Sequence, residues 1–459
     1  MLFNTAPFFA FLAAALAAFY LSPQPLRRPI LVAASYAFYA TWNWHFTPLL
    51  IALTALDYTA AQLIEGSPAG VRRKLFLVLS VAANLGFLGF FKYSNFLADN
   101  LSWLLGHASS ARAFNVVLPL GISFHTFQSL SYVVDVYRGQ QKAVRDPVDY
   151  ALFISFFPQL VAGPIVRARE FFGNLWHWEP PTAEEVSRGI FKMSLGLAKK
   201  MAFADTFALV ANDYFANAAS YAGAAAAWSA VLAFGLQIYF DFSGYSDMAI
   251  GMAQLLGFRF PENFRRPYLA TSLHDFWQRW HITLSSWLRD YVYIPLGGNR
   301  KGALMTDRNL MLTMLVGGFW HGASWNFILW GAYHGALLVL ERRLGLARAQ
   351  SWAPLRWFLT LLAVLIGWVF FRATDLTQSL KTLAALCGPW QGPGLFRASH
   401  CLLAALALAL ALVEERYQAS ERLLRWPLLP RAFGLSLVFF VIEIFGVTDV
   451  TIPFVYFQF

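Results

Sequence analysis

Apolar runs long enough to cross a bilayer recur along this chain from Leu2 to its last line, and a spanning helix needs about 20 mostly apolar residues. By that criterion there are roughly ten to twelve candidate spans. Of the 459 residues 58% are hydrophobic and only 13% charged, a mix that one soluble core cannot absorb because the water-facing surface would have to carry the surplus. The expected fold class is all-α: a polytopic membrane protein solvated by lipid, with re-entrant or interfacial helices around a central funnel.

The net charge of +10 does not point to nucleic acid, since the cations sit in short loops beside apolar runs and form no single basic domain. Arg27 and Arg28 precede, and Arg72, Arg73 and Lys74 follow, a pair of runs at Ile30 to Trp42 and Phe46 to Ile64. Positive loops stay in the cytoplasm, which makes the pair a helical hairpin with Trp42, Trp44 and His45 at its outer turn and places the N-terminus outside the inner membrane. The run Leu2 to Leu21 has no cationic region before it and reads as a retained helix, not a cleaved signal. Cys387 and Cys401 have no partner motif, so neither a disulfide framework nor a thiolate metal site is indicated.

Residues 257–308 behave differently, setting Arg259, Arg265, Arg266, His274, Arg300 and Lys301 among many aromatics. Polar backbone at membrane depth is tolerated only where protein or water surrounds it, so this stretch is expected to be re-entrant or interfacial and to line a cytoplasmic cavity. With no fixed-period repeat and no Gly/Ser linker, residues 1–459 read as one integral-membrane domain ending in an aromatic tail at 446–459.

Within that frame the string Phe319-Trp320-His321-Gly322 places a histidine between apolar runs. Ionisable groups there are costly unless they face the interior, and histidine can take and return a hydroxyl proton near neutral pH. His321 is the general-base candidate; a neutral histidine bonded to a carbonyl in a helix junction is the alternative. In Trp277-Gln278-Arg279-Trp280-His281 the spacing puts Trp277, Trp280 and His281 on one face if the segment is helical, where His281 could position a thioester or polarise its carbonyl. Asp241 and Asp247 punctuate another apolar run and must face protein or water, either as polar support for the site, with Asn326, or paired with an arginine such as Arg279 or Arg289. Tyr456 in the tail is either an interfacial anchor or a hydroxyl that carries an acyl group. No metal site is expected, since there is no H-E-x-x-H and no carboxylate at ligand spacing from His274 and His281, and no G-x-S-x-G elbow occurs.

Taken together, Pro119-Leu120-Gly121-Ile122-Ser123-Phe124, Gln159 to Ile165, Asp241 to Asp247, Pro261-Glu262-Asn263-Phe264, His281 and Trp320-His321-Gly322 resemble the membrane-bound O-acyltransferase family, in its bacterial alginate, peptidoglycan and cellulose O-acetylation branch, from about residue 28 onward. The resemblance implies a ring of helices around a funnel, with His321 and His281 as the catalytic histidines and no permanently bound cofactor. It further implies acetyl coenzyme A as donor, for which Arg259, Arg265, Arg266, Arg300 and Lys301 could attract the phosphates. A polysaccharide acceptor, a separate extracytoplasmic serine-hydrolase-like partner and an acyl-carrier role for Tyr456 follow from the same likeness. Transfer of another acyl group such as D-alanyl, or a non-enzymatic transporter or scaffold, are the alternatives.

Overall fold

The computed structural model describes residues 1–106, 116–161, 163–221, 223–346, 352–448, 450 and 452–457. Among these residues every regular element is helical, as expected of the all-α class. Five stretches are long and apolar enough to cross a membrane: Gln24–Gly66, Val71–Leu104, Ala224–Leu255, Ala353–Arg372 and Ala398–Tyr417. Their burial separates two roles: 72% of the apolar window in Ala224–Leu255 is buried against 6% in Ala398–Tyr417, so the first is a core helix and the second turns its leucines outward. Helices Gln24–Asn43 and Thr47–Gly66 are joined by one 3₁₀ turn, Trp44–Phe46, whose aromatic pair Trp44 and His45 stacks at 3.9 Å.

Packing divides the chain into two compact units, residues 1–190 with 249–261, and residues 191–248 with 262–459. The first is built around an aromatic core, with Tyr132, Tyr150 and Phe153 completely buried. Two of its buried carboxylates, Asp149 and Asp57, are held by side-chain partners. Arg28 Nη1 lies 3.0 Å from Asp149, and the Asp57 carboxylate accepts from Ser80 Oγ and Asn84 Nδ2, both at 2.7 Å.

Two close helix crossings organise the second unit. At the first, a Cβ on Gly196 would lie 2.5 Å from Gly244 O and one on Gly244 would lie 2.7 Å from Gly196 O, so only glycine permits this approach. At the second, helices Ala303–His321 and Trp325–Arg343 form a tight hairpin; a Cβ on Gly318 would sit 2.3 Å from Phe327 O, and one on Gly331 would sit 2.5 Å from Met314 O. Between the crossings run helices Leu273–Arg279 and Ile282–Leu288, seven residues each. At 1.5 Å per residue each is only about 10 Å long, too short to span.

Candidate active site

His321 is the last residue of helix Ala303–His321, and the extended backbone of Gly322 ends the helix there. Ser324 caps the returning helix by accepting from Asn326 N at 3.3 Å, and Asn326 Nδ2 donates to Ala373 O at 2.9 Å, tying the hairpin to the end of helix Ala353–Arg372. Asn326 is thus a buried structural staple behind the histidine. The His321 ring is only 6% exposed and is walled by Trp320 at 4.8 Å, Phe371 at 5.0 Å and Trp330 at 5.1 Å. Tyr456 approaches it from the tail, with ring centroids 5.9 Å apart. A third buried histidine, His334, packs between Trp277 at 5.2 Å and Trp330 at 5.0 Å.

The expected helical face of Trp277, Trp280 and His281 does not form. The helix stops at Arg279, Trp280 is extended, and His281 adopts a left-handed backbone, φ 42° and ψ 57°, as the N-cap of the next helix. A side-chain-bearing residue held there stores strain of about 1–3 kcal/mol that its surroundings must offset. They do so through Asn263. Its backbone carbonyl accepts from Ile282 N at 2.9 Å. Its side-chain Oδ1 accepts from Thr283 N at 3.3 Å and Thr283 Oγ1 at 2.9 Å, and lies 3.1 Å from His281 Nδ1. Because the Thr283 amide can only donate, that atom of Asn263 is the oxygen, and the neutral His281 ring carries its proton on Nδ1. Nε2 is then a hydrogen-bond acceptor. Asn263 Nδ2 completes the chain by donating to Ser246 Oγ at 3.0 Å.

The two acids are paired, but with lysines and not with Arg279 or Arg289, which are taken by Asp275 and Glu415 and by Asp290. Asp247 lies 2.5 Å from Lys199 Nζ and 3.7 Å from Lys192, while Lys192 also pairs with Glu262. Asp241 lies 2.9 Å from Lys200 Nζ, which is itself 2.7 Å from Asp205. Lys199 and Lys200 open a π-helical turn, Lys199–Ala204, that follows directly on the Gly196–Gly244 crossing. That crossing brings adjacent lysines against acids six positions apart on the facing helix. Such turns inside α-helices often mark functional positions.

The tail is fixed to the same place. Lys200 Nζ donates to Ile452 O at 3.1 Å and Val455 N donates to Asp241 Oδ2 at 2.7 Å. Phe454 then packs on Tyr245 at 4.4 Å and Tyr456 on Phe242 at 4.4 Å. Phe242 also meets the His281 ring edge-on at 4.6 Å. His281, His321 and Tyr456 are therefore gathered around one aromatic cluster in the second unit.

The expected cations divide into two groups. Arg259, in the first unit, is bound to Glu185 at 2.6 Å, and Arg266 to Glu415 at 2.5 Å. Arg265, Arg300 and Lys301 are exposed and have no carboxylate partner among the described residues. The Glu185 carboxyl is held below the usual range first by the Thr182 amide and then by Arg259, so that arginine's charge is committed.

An all-helical membrane chain with a buried histidine pair of this kind defines a class: residues 141–380 match the membrane-bound O-acyltransferase family, and the chain belongs to it and is an O-acyltransferase. Among its relatives, it is 44% identical to the probable alginate O-acetylase of Pseudomonas putida, over 90% of this chain and 86% of that protein. It is 38% identical to the peptidoglycan O-acetyltransferase of Helicobacter pylori, over 84% and 80%. With the teichoic acid D-alanyltransferase of Bacillus subtilis it shares 29% identity over 56% and 67%.

Lys200 and His334 were not singled out from sequence, and Asn263 appeared only within the string Pro261-Glu262-Asn263-Phe264, without a role. For Lys200 and His334 a signal existed: Lys199-Lys200 and His334 each interrupt an apolar run, the same criterion that marks His321. Nothing in the local pattern distinguishes Asn263 as the partner of His281.

Proposed function

We propose that this single-domain acyltransferase moves acetyl groups from cytoplasmic acetyl coenzyme A across the inner membrane for O-acetylation of an exported or cell-envelope polysaccharide. A separate extracytoplasmic serine-hydrolase-like protein places the group on the polymer. The observation that carries this reading is the convergence of His321 with the tail hydroxyl residue Tyr456, 5.9 Å between rings, inside an aromatic enclosure.

In the first step His321 takes the phenolic proton as Tyr456 Oη attacks the thioester carbonyl. The C–S bond breaks, the imidazolium returns the proton to the leaving thiolate, and the products are a tyrosyl acetate and free coenzyme A. In the second step an acceptor hydroxyl attacks the ester carbonyl, the Tyr456 oxygen leaves, and it recovers a proton. General-base assistance of this kind is worth about 10² to 10⁴ in rate. With Nδ1–H given to Asn263, His281 presents Nε2 as an acceptor, which suits holding an N–H of the donor's pantetheine arm and does not suit polarising a carbonyl. Arg265, Arg300 and Lys301, free of carboxylates, are the cations suited to the donor's phosphates.

Acetyl is favoured over D-alanyl because the two acetylating relatives match over most of the chain at higher identity. The test is release of free coenzyme A from acetyl coenzyme A by the full chain in lipid. We expect wild type to release it and His321→Ala not to. Equal release by both would remove His321 from the chemistry, and binding of acetyl coenzyme A with no release by either, in the presence of the polymer-modifying partner, would favour a scaffold.

A further inference from the structure

The buried Lys200 cluster has a geometry that is complete only when the tail is present. Lys200 Nζ forms ion pairs with Asp205 Oδ1 at 2.7 Å and Asp241 Oδ1 at 2.9 Å and donates a hydrogen bond to the backbone carbonyl of Ile452 at 3.1 Å. The second oxygen of Asp241 accepts from Val455 N at 2.7 Å. Lys200 is wholly buried, with Asp241 at 1% and Asp205 at 2% exposure. Without the tail, one ammonium donor and one carboxylate oxygen would lose their partners in a place where unpaired charge is most expensive.

The same turn grips the beginning of the tail. Met201 O accepts from Val447 N at 3.2 Å, and just beyond the turn Thr206 Oγ1 donates at 3.0 Å to the backbone carbonyl of Phe445, the last residue of helix Leu428–Phe445 before the tail. Met201 O lies within the π-helical turn and accepts the Val447 bond from outside its own helix. Every polar contact named here between the turn region and the tail is to tail backbone. The site therefore holds the tail backbone leading into the 3₁₀ turn Val455–Phe457 in register, and the side chains at 454 and 456 fall into place by packing on Tyr245 and Phe242.

We infer that Lys200 and Asp241, with Asp205 behind them, form a docking site for the backbone of residues 452–455, and that they are positioning residues which set Tyr456 against His321. The consequence for transfer rests on the acyl-carrier reading of Tyr456; the docking itself does not. Asp205 pairs with Lys200 and, among the described residues, has no polar contact with the tail, which ranks the three: Lys200 and Asp241 hold the tail directly, and Asp205 orients the lysine.

The test is amide hydrogen exchange of the full-length protein in lipid, read by mass spectrometry at residues 452–457, alongside acetyl transfer and coenzyme A release. Lys200→Met and Asp241→Ala are expected to speed exchange in the tail at least tenfold and to lower acetyl transfer at least tenfold. Val455→Pro removes the donor to Asp241 from the tail side and leaves the ion cluster untouched, so it guards against a variant that unfolds; it should reproduce both effects and lower coenzyme A release with them, while its thermal melt stays like that of wild type. Tail exchange at the wild-type rate in Val455→Pro and Lys200→Met would overturn the docking site. Accelerated tail exchange with transfer at the wild-type level would uphold docking and instead remove Tyr456 from the reaction.

Discussion

Replacing Asn263 by alanine isolates the device that orients His281. Asn263 Oδ1 meets three donors, His281 Nδ1 at 3.1 Å, Thr283 N at 3.3 Å and Thr283 Oγ1 at 2.9 Å, and the residue is 1% exposed. Alanine removes that acceptor and supplies none in its place. One hydrogen bond contributes about 1 kcal/mol net, and a buried donor left without a partner costs about 1–3 kcal/mol. The loss of orientation should lower kcat/KM for the donor roughly fivefold, the factor that 1 kcal/mol gives at room temperature. Because His281 is assigned to holding the donor, most of that change should fall on KM. The orphaned Thr283 groups should separately lower thermal stability, by an amount of the order of the 1–3 kcal/mol above. Steady-state coenzyme A release across donor concentrations, with a thermal melt of the same preparation, reads both. A variant that melts earlier but keeps wild-type KM and kcat would refute the orienting role of Asn263 and leave it a purely structural residue.

Gly318→Ala and Gly331→Ala should each force the helical hairpin apart, since the new methyl groups would lie 2.3 Å from Phe327 O and 2.5 Å from Met314 O; overpacking of this kind costs about 1–3 kcal/mol, visible as earlier unfolding together with lost transfer from a displaced His321. Asn326→Ala removes the donor to Ala373 O, 2.9 Å away, and should cost a similar 1–3 kcal/mol in the melt, while Asn326→Asp, which puts an acceptor against that carbonyl, should be worse. Arg259→Gln should leave donor KM within about twofold and change stability by no more than about 1 kcal/mol, because its charge is spent on the surface partner Glu185. The pair Arg300→Gln with Lys301→Gln should raise donor KM, and an unchanged KM there would detach these cations from donor phosphate.

The membrane class was legible in sequence because apolar period and length are local quantities, and the same is true of His321, whose cost in an apolar setting can be read from its neighbours alone. What the pattern could not give was partnership across the chain. Asp241 announces that it needs a cation but not which one, since Lys200, Arg279 and Arg289 lie at similar separations of 41, 38 and 48 positions; the partner, Lys200, is delivered by the glycine crossing at Gly196 and Gly244. The bond from Val455 to Asp241 spans 214 positions, beyond any periodicity argument. The face expected for His281 failed for a different reason: helical spacing was extended through Trp280, whose extended backbone ends one helix before the left-handed His281 opens the next.

Transfer of radiolabelled acetyl from acetyl coenzyme A by the purified full chain in lipid, comparing wild type with His321→Ala, bears most directly on the acyl-transfer chemistry. We expect label to be released or passed on by wild type and by more than about a hundredfold less in the variant, the lower end of what general-base catalysis supplies; equal transfer by a folded His321→Ala protein would contradict the placement of the chemistry at this histidine.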